Sequence, residues 1–270
     1  MLRAALLSVL LIAPALPAWA DARLTVLMDL LRVSEVTGIL REEGLEYARE
    51  LDQDMIAGQG GAFFAGQVDR VYDRQRMDER LRAALQRGMT PEDMEAAIGW
   101  FSTDAGGRIV SLENAARAAM SDPAVEQAAR EAWERSLDEG DPKVGQVESY
   151  VRDLDLVERN VSGTMTSNYQ FLLGLSDGGL LTQSDEQMIA DVYGQREEIE
   201  ADTESWLGAF LLMAYQPVSA GDLDAYIAFS ATDAGTALNA ALFDGFDSVF
   251  SEISYALGRA LALSAAGNDI

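Results

Sequence analysis

Apolar residues recur three and four positions apart along most of the chain. Leu24, Leu27, Met28 and Leu31 keep the i, i+3, i+4, i+7 spacing of one buried helix stripe. Ser34 is placed to cap a following helix, whose stripe runs through Val36, Ile39, Leu40, Leu51 and Met55. Phe64, Val68, Val71 and Tyr72 repeat the pattern, as do Met77, Leu81, Ala84 and Leu85. No stretch alternates β-branched and polar residues between hairpin turns, so no strand is predicted. The expected fold is all-α, a multi-helix bundle without a sheet.

Helix starts and stops are marked. Thr90-Pro91-Glu92-Asp93 supplies a cap hydroxyl, a proline at the first helical position and acids facing the positive helix end. Ser121-Asp122-Pro123 repeats that arrangement before Val125, Ala129, Trp133 and Leu137, and Thr182 or Ser184 opens a helix carrying Met188, Ile189, Val192 and Tyr193. Breaks fall at Gly58-Gln59-Gly60-Gly61, Gly140-Asp141-Pro142 and Asp177-Gly178-Gly179. The uncharged stretch Ser205 to Gly221 reads as a buried helix followed by a loop.

The first twenty residues have the form of an export leader. Arg3 precedes an apolar run from Ala4 to Leu16, interrupted by Ser8 and Pro14, and Ala18-Trp19-Ala20 sets small residues before Asp21. A bilayer span needs about 20 apolar residues, more than this run provides. Cleavage after Ala20 and a periplasmic or secreted mature chain are therefore expected, with no transmembrane segment. The absence of cysteine excludes a lipid anchor on an N-terminal cysteine.

The chain also resembles itself. Residues 90–109 align without gaps on 219–238, an offset of 129, with seven of twenty positions identical. Thr103-Asp104-Ala105-Gly106 matches Thr232-Asp233-Ala234-Gly235, and Trp100 faces Phe229 in the alignment. Each tetrapeptide reads as a helix–kink–helix corner. Thr103 or Thr232 caps the second helix, Asp104 or Asp233 sits in its first turn, and Gly106 or Gly235 permits close approach. Two related helical halves are expected, residues 21–139 and 147–265, joined by a linker at 140–146 and followed by a tail at 266–270.

Composition narrows the chemistry. Among 270 residues there are 45 Asp+Glu against 20 Lys+Arg, a formal net charge of −25, which becomes −26 when Arg3 leaves with the leader. Such a field repels nucleic acid and anionic lipid. With no histidine and no cysteine, the usual bases, thiol nucleophiles, disulfides and soft metal sites are missing. Acid pairs such as Asp52/Asp54 and Asp153/Asp155 are expected by chance at this acid content, and Lys143, the single lysine, falls in the linker. No calcium loop and no phosphate-binding glycine loop is present. No catalytic, metal or cofactor residue is assigned.

What remains is apolar. Trp100, Phe101, Trp206, Phe210 and Phe229 are candidates to line a groove between the halves, although aromatics at helical spacing also serve as core. A non-catalytic periplasmic binding or interaction module is the expected class, chaperone-like or holding an apolar ligand, an amphipathic peptide or an envelope protein. The alternatives are a self-assembling scaffold, with an exposed apolar stripe along Tyr255 to Leu263, and a carboxylate-dependent hydrolase.

At its first corner the chain resembles the exported bacterial family known as domain of unknown function number twenty fifty-nine. That family's pattern is an aromatic pair, one residue, Ser-Pro, any residue and Gly. Trp100-Phe101-Ser102-Thr103-Asp104-Ala105-Gly106 keeps the spacing, with Thr for Ser and Asp for Pro. Arg41 to Leu45 and Arg108 to Glu113 also look like the family, and the likeness extends over about 24–135. It implies an all-helical exported protein with no established activity and no catalytic residues to transfer.

Overall fold

Local capping chemistry sets most of the helix boundaries. The computed structural model describes residues 16–267, and every regular element among them is a helix. Residues 1–15 of the expected leader, and 268–270 of the expected tail, lie outside that range. The first helix, α1 (Leu16–Leu30), runs through Ala18-Trp19-Ala20 and meets α2 (Val33–Ile56) at Arg32, whose φ of 50° turns the chain. Ser34 does not cap α2 but lies inside it. Its carbonyl and hydroxyl instead accept from Arg74 Nη2, at 2.5 and 2.8 Å, because the left-handed turn at Arg32 starts the helix early.

Helix α3 (Gly61–Val71) follows the glycine break, and Asp73 caps α4 (Arg74–Gly88) by accepting from the Arg76 N–H at 2.9 Å. Thr90 and Asp93 form a reciprocal capping box at the start of α5 (Pro91–Phe101). After α6 (Asp104–Met120), Asp122, not Ser121, caps α7 (Pro123–Glu139). Gly140 and Asp141 make the next turn, and α8 (Pro142–Asp153) begins at once, so most of the segment expected as a linker is helix. Then come α9 (Leu156–Asp177), α10 (Asp185–Gly194) with a Ser184/Gln187 capping box, and α11 (Arg196–Tyr215). Lys143 Nζ closes the end of α11, donating to the carbonyls of Tyr215 at 2.8 Å and Val218 at 2.5 Å.

The two corners have one geometry. α12 (Ala220–Ser230) and α5 are both eleven residues long, and α13 (Asp233–Ala265) starts where the 129-residue offset from α6 places it. Thr103 and Thr232 each accept from the N–H of the glycine three residues on, at 3.1 Å in both. Each also donates its hydroxyl hydrogen to the aromatic residue three back, Trp100 at 2.7 Å and Phe229 at 2.6 Å. A Cβ on Gly106 would stand 2.5 Å from the Trp100 carbonyl, and one on Gly235 2.2 Å from that of Phe229. Only glycine lets the second helix pass this close beneath the first.

Helix α13 organises the rest. Its 33 residues pack most extensively on α9 and then on α4, and also reach α2, α3, α5 and α12. Leu238 and Ala241, near its start, belong to an apolar cluster with Leu81, Phe101, Tyr215 and Leu223, while Val249, Ile253 and Leu257 join a second cluster with Phe64, Val68 and Leu175. The Tyr255 to Leu263 stretch is therefore no free stripe. Leu257 is 2% and Leu261 0% exposed, because α9 covers that face through a glycine crossing at Gly174 and Gly258. Ile189 and Tyr193, expected in the stripe of α10, are exposed. That short helix packs on α9 and, more slightly, on α11, and buries only Met188 and Val192. Met55 is likewise exposed.

Candidate functional site

The helices do not close completely on one another. Between α2, α6, α9, α11, α12 and α13 they leave a cleft of about 570 Å³, within the range of small-molecule sites. Four of the five aromatics singled out in the sequence lie on its wall: Phe101, Trp206, Phe210 and Phe229. Trp206 stacks on Phe210 with centroids 4.9 Å apart. Trp100 stands behind the wall, stacked on Phe229 at 5.4 Å, so the aligned positions of the two corners touch each other. Phe243, Phe246 and Phe250, spaced by three and four along α13, complete the aromatic lining.

The corner residues divide. Gly235 borders the cleft, whereas Thr103 and Asp104 border a separate polar depression beside Arg108. Asp104 and Asp233 are exposed first-turn acids. Among the described residues, no three His, Cys, Asp or Glu side chains gather as a metal site.

The cleft has a polar floor that the sequence reading missed. Glu113 of α6 lines it, and its Oε1 accepts from the Tyr215 hydroxyl at 2.6 Å and the Tyr226 hydroxyl at 3.4 Å. Tyr226 is itself 3.1 Å from the Tyr150 hydroxyl. Since Tyr226 donates to Glu113, Tyr150 must donate to Tyr226. Among the described residues no donor reaches Glu113 Oε2. The carboxyl is surrounded by protein, although the side chain keeps some surface towards the cleft. Burial pushes its pKa up to about 7 against the lowering effect of the two tyrosine hydrogen bonds. Burial, with the Glu113 charge next, raises the pKa of all three tyrosines.

Beside Glu113, Asn114 is 6% exposed, lines the cleft, and leaves its amide nitrogen without a partner. An orphaned buried amide costs about 1–3 kcal/mol. The basic group on the same helix is already engaged. Arg117 forks onto Glu43 of α2 at 2.8 and 2.6 Å and lies over the Trp206 ring, 5.4 Å from its centroid. Asp247 of α13 lines the far end, its pKa raised by burial and by Asp244 against the pull of Arg159.

Glu113 did have a signature in the sequence. It interrupts the stripe Ile109, Ala116, Met120 of α6, where the period asks for an apolar residue. The tyrosines had none, because they come from three helices, α8, α11 and α12.

Fold and site together define an all-α helical protein with an aromatic-walled cleft over a buried carboxyl. Residues 75–134, from α4 into α7, match the family model described as "uncharacterized protein conserved in bacteria (DUF2059)". The matched stretch holds the first corner, Glu113 and Asn114, and stops before the second corner. No curated protein and no solved structure matches the chain.

Proposed function

We propose that this protein is an exported helical binding module that holds an apolar small molecule in its cleft. The observation carrying this reading is the cleft itself, about 570 Å³ with aromatic walls and one polar floor. Apolar walls supply affinity, and a few buried polar groups fix orientation. No described helix is long and apolar enough to cross a membrane. The shared cap and glycine geometry of the corners supports descent of the two halves from one helical unit.

The binding reading is favoured over paired-carboxylate hydrolysis by what surrounds Glu113. Burial and two tyrosine hydroxyls account for its state, and among the described residues no second acid shifts it. The test is native mass spectrometry of the mature protein purified from the envelope of the cells that make it. A discrete added mass, lost on solvent extraction, is the expected result, on a chain that begins at Asp21. A bare chain that also fails to take up an apolar dye refutes the reading.

A further inference from the structure

The cleft reading leaves open the chemistry of the occupant, and the charges around the cleft constrain it. The acidic and basic side chains lining it, besides the tyrosines, are Glu113, Asp247 and Arg117. Arg117 is engaged by both oxygens of Glu43, so the described lining offers two acids and no uncommitted cation; Arg159, over the Phe243 ring, is not part of that lining. An anionic head group would meet like charge inside the cleft and a formal −25 around it. A cation meets the reverse: the unpartnered Glu113 Oε2, with the aromatic residues Phe101, Tyr226 and Phe229 lining the same cleft.

We propose that the occupant is a cationic amphiphile, an amine on an apolar body, with its ammonium group at Glu113 and its body along the aromatic wall. This rests on the cleft reading and adds charge selection to it. Binding the ammonium requires Glu113 ionised, so a proton leaves as the amine enters. The groups that face this carboxyl are Tyr150 of α8, Tyr215 of α11 and Tyr226 of α12. Elsewhere Arg117, paired with Glu43, and Asp247 line the cleft, and Asp244 and Arg159 act on Asp247. Helices α5 and α7, which also pack on α6, set no charge against Glu113.

The experiment compares dodecylamine, dodecanol and dodecanoate, each below its aggregation limit, by isothermal titration and tryptophan fluorescence on the mature chain. The amine is expected to bind at least tenfold more tightly than the alcohol, and the carboxylate most weakly. Glu113→Gln should cost the amine at least tenfold and leave the alcohol within threefold. On the unmutated protein, amine affinity should fall about tenfold per pH unit below 7, while alcohol affinity stays level. Equal binding of amine and alcohol, or tighter binding of dodecanoate, overturns the charge selection and leaves the cleft reading standing. Failure of all three to bind overturns both. The pH series needs no substitution, so it decides the matter even where Glu113→Gln does not fold.

Discussion

One substitution, glycine to alanine, should have opposite signs at different helical positions of this molecule. At the crossing of α9 and α13, a Cβ on residue 174 would lie 2.2 Å from the Tyr255 carbonyl oxygen and 2.8 Å from the Arg259 nitrogen. One on residue 258 would lie 2.2 Å from the Phe171 carbonyl oxygen. These are backbone atoms of rigid helices, so nothing swings aside. Restoring ordinary contact needs the helices to part by about 1 Å, which also loosens the dispersion contacts of the most extensive interface. Overpacking costs about 1–3 kcal/mol and sometimes more, against about 1 kcal/mol gained from alanine's helix propensity. Gly174→Ala and Gly258→Ala should each lose about 2 kcal/mol, a fall in Tm of about 4–8 °C for a chain of this size. Gly66 and Gly99 sit in α3 and α5 with nothing within 4 Å of the added methyl. There alanine should raise Tm by about 2–4 °C. The double variant at 174 and 258 should cost less than the sum, because one separation accommodates both methyls. Calorimetry on the parent and the five variants checks this. A rise in Tm for Gly174→Ala and Gly258→Ala would refute the close crossing.

Other expectations follow from the site and the caps. Glu113 has a folded pKa of about 7, above the ordinary value of 4.5, so its contribution is fully present below about pH 4.5 and lost as the pH rises through 7. Glu113→Gln stays neutral throughout, so its stability relative to the parent should climb by about 2–3 kcal/mol between pH 4.5 and 8 in urea titrations. A difference independent of pH would contradict the buried carboxyl. Thr103→Ala and Thr232→Ala should cost about 1 kcal/mol each, and the two losses should match because their hydrogen bonds do. Lys143→Met should lower stability by about 1–2 kcal/mol, since it strips a donor from the α11 carbonyls. An unchanged urea midpoint would show that water replaces it.

The sequence spoke most clearly where the physics is local. A cap hydroxyl acts three residues away, so Thr90, Thr103 and Thr232 could be placed without knowing the fold, and the structure has all three as caps, with Ser184 taking the cap for which Thr182 was the alternative. Ser34 shows the limit: it is a good cap type, but the left-handed Arg32 ahead of it began the helix first. The cleft was harder to see. A stripe shows which side chains turn inward, and core and cleft wall draw on the same residues. Phe101 is 3% exposed and still borders the cleft. Whether a space remains depends on how far apart α6, α9, α11 and α13 stand, and that is decided by packing between segments distant in the chain. The tyrosine chain over Glu113 is likewise assembled from three helices and leaves no spacing to read.

Helix α13 has a consequence for timing. At about 1.5 Å per residue it is roughly 50 Å long, and its residues complete both apolar clusters. The helix that α3 and α4 (Gly61–Gly88) pack against, residues 233–265, therefore follows the twelve other described helices in the chain. Until then Phe64, Val68, Met77 and Leu81 lack their cover, and the growing chain carries a half-built core whose long-range closure is slow. Heavy acidity suits that interval, because like charges hold unfinished chains apart. The arrangement makes the molecule assemble late and as one unit, with its cleft appearing only when α13 is laid down.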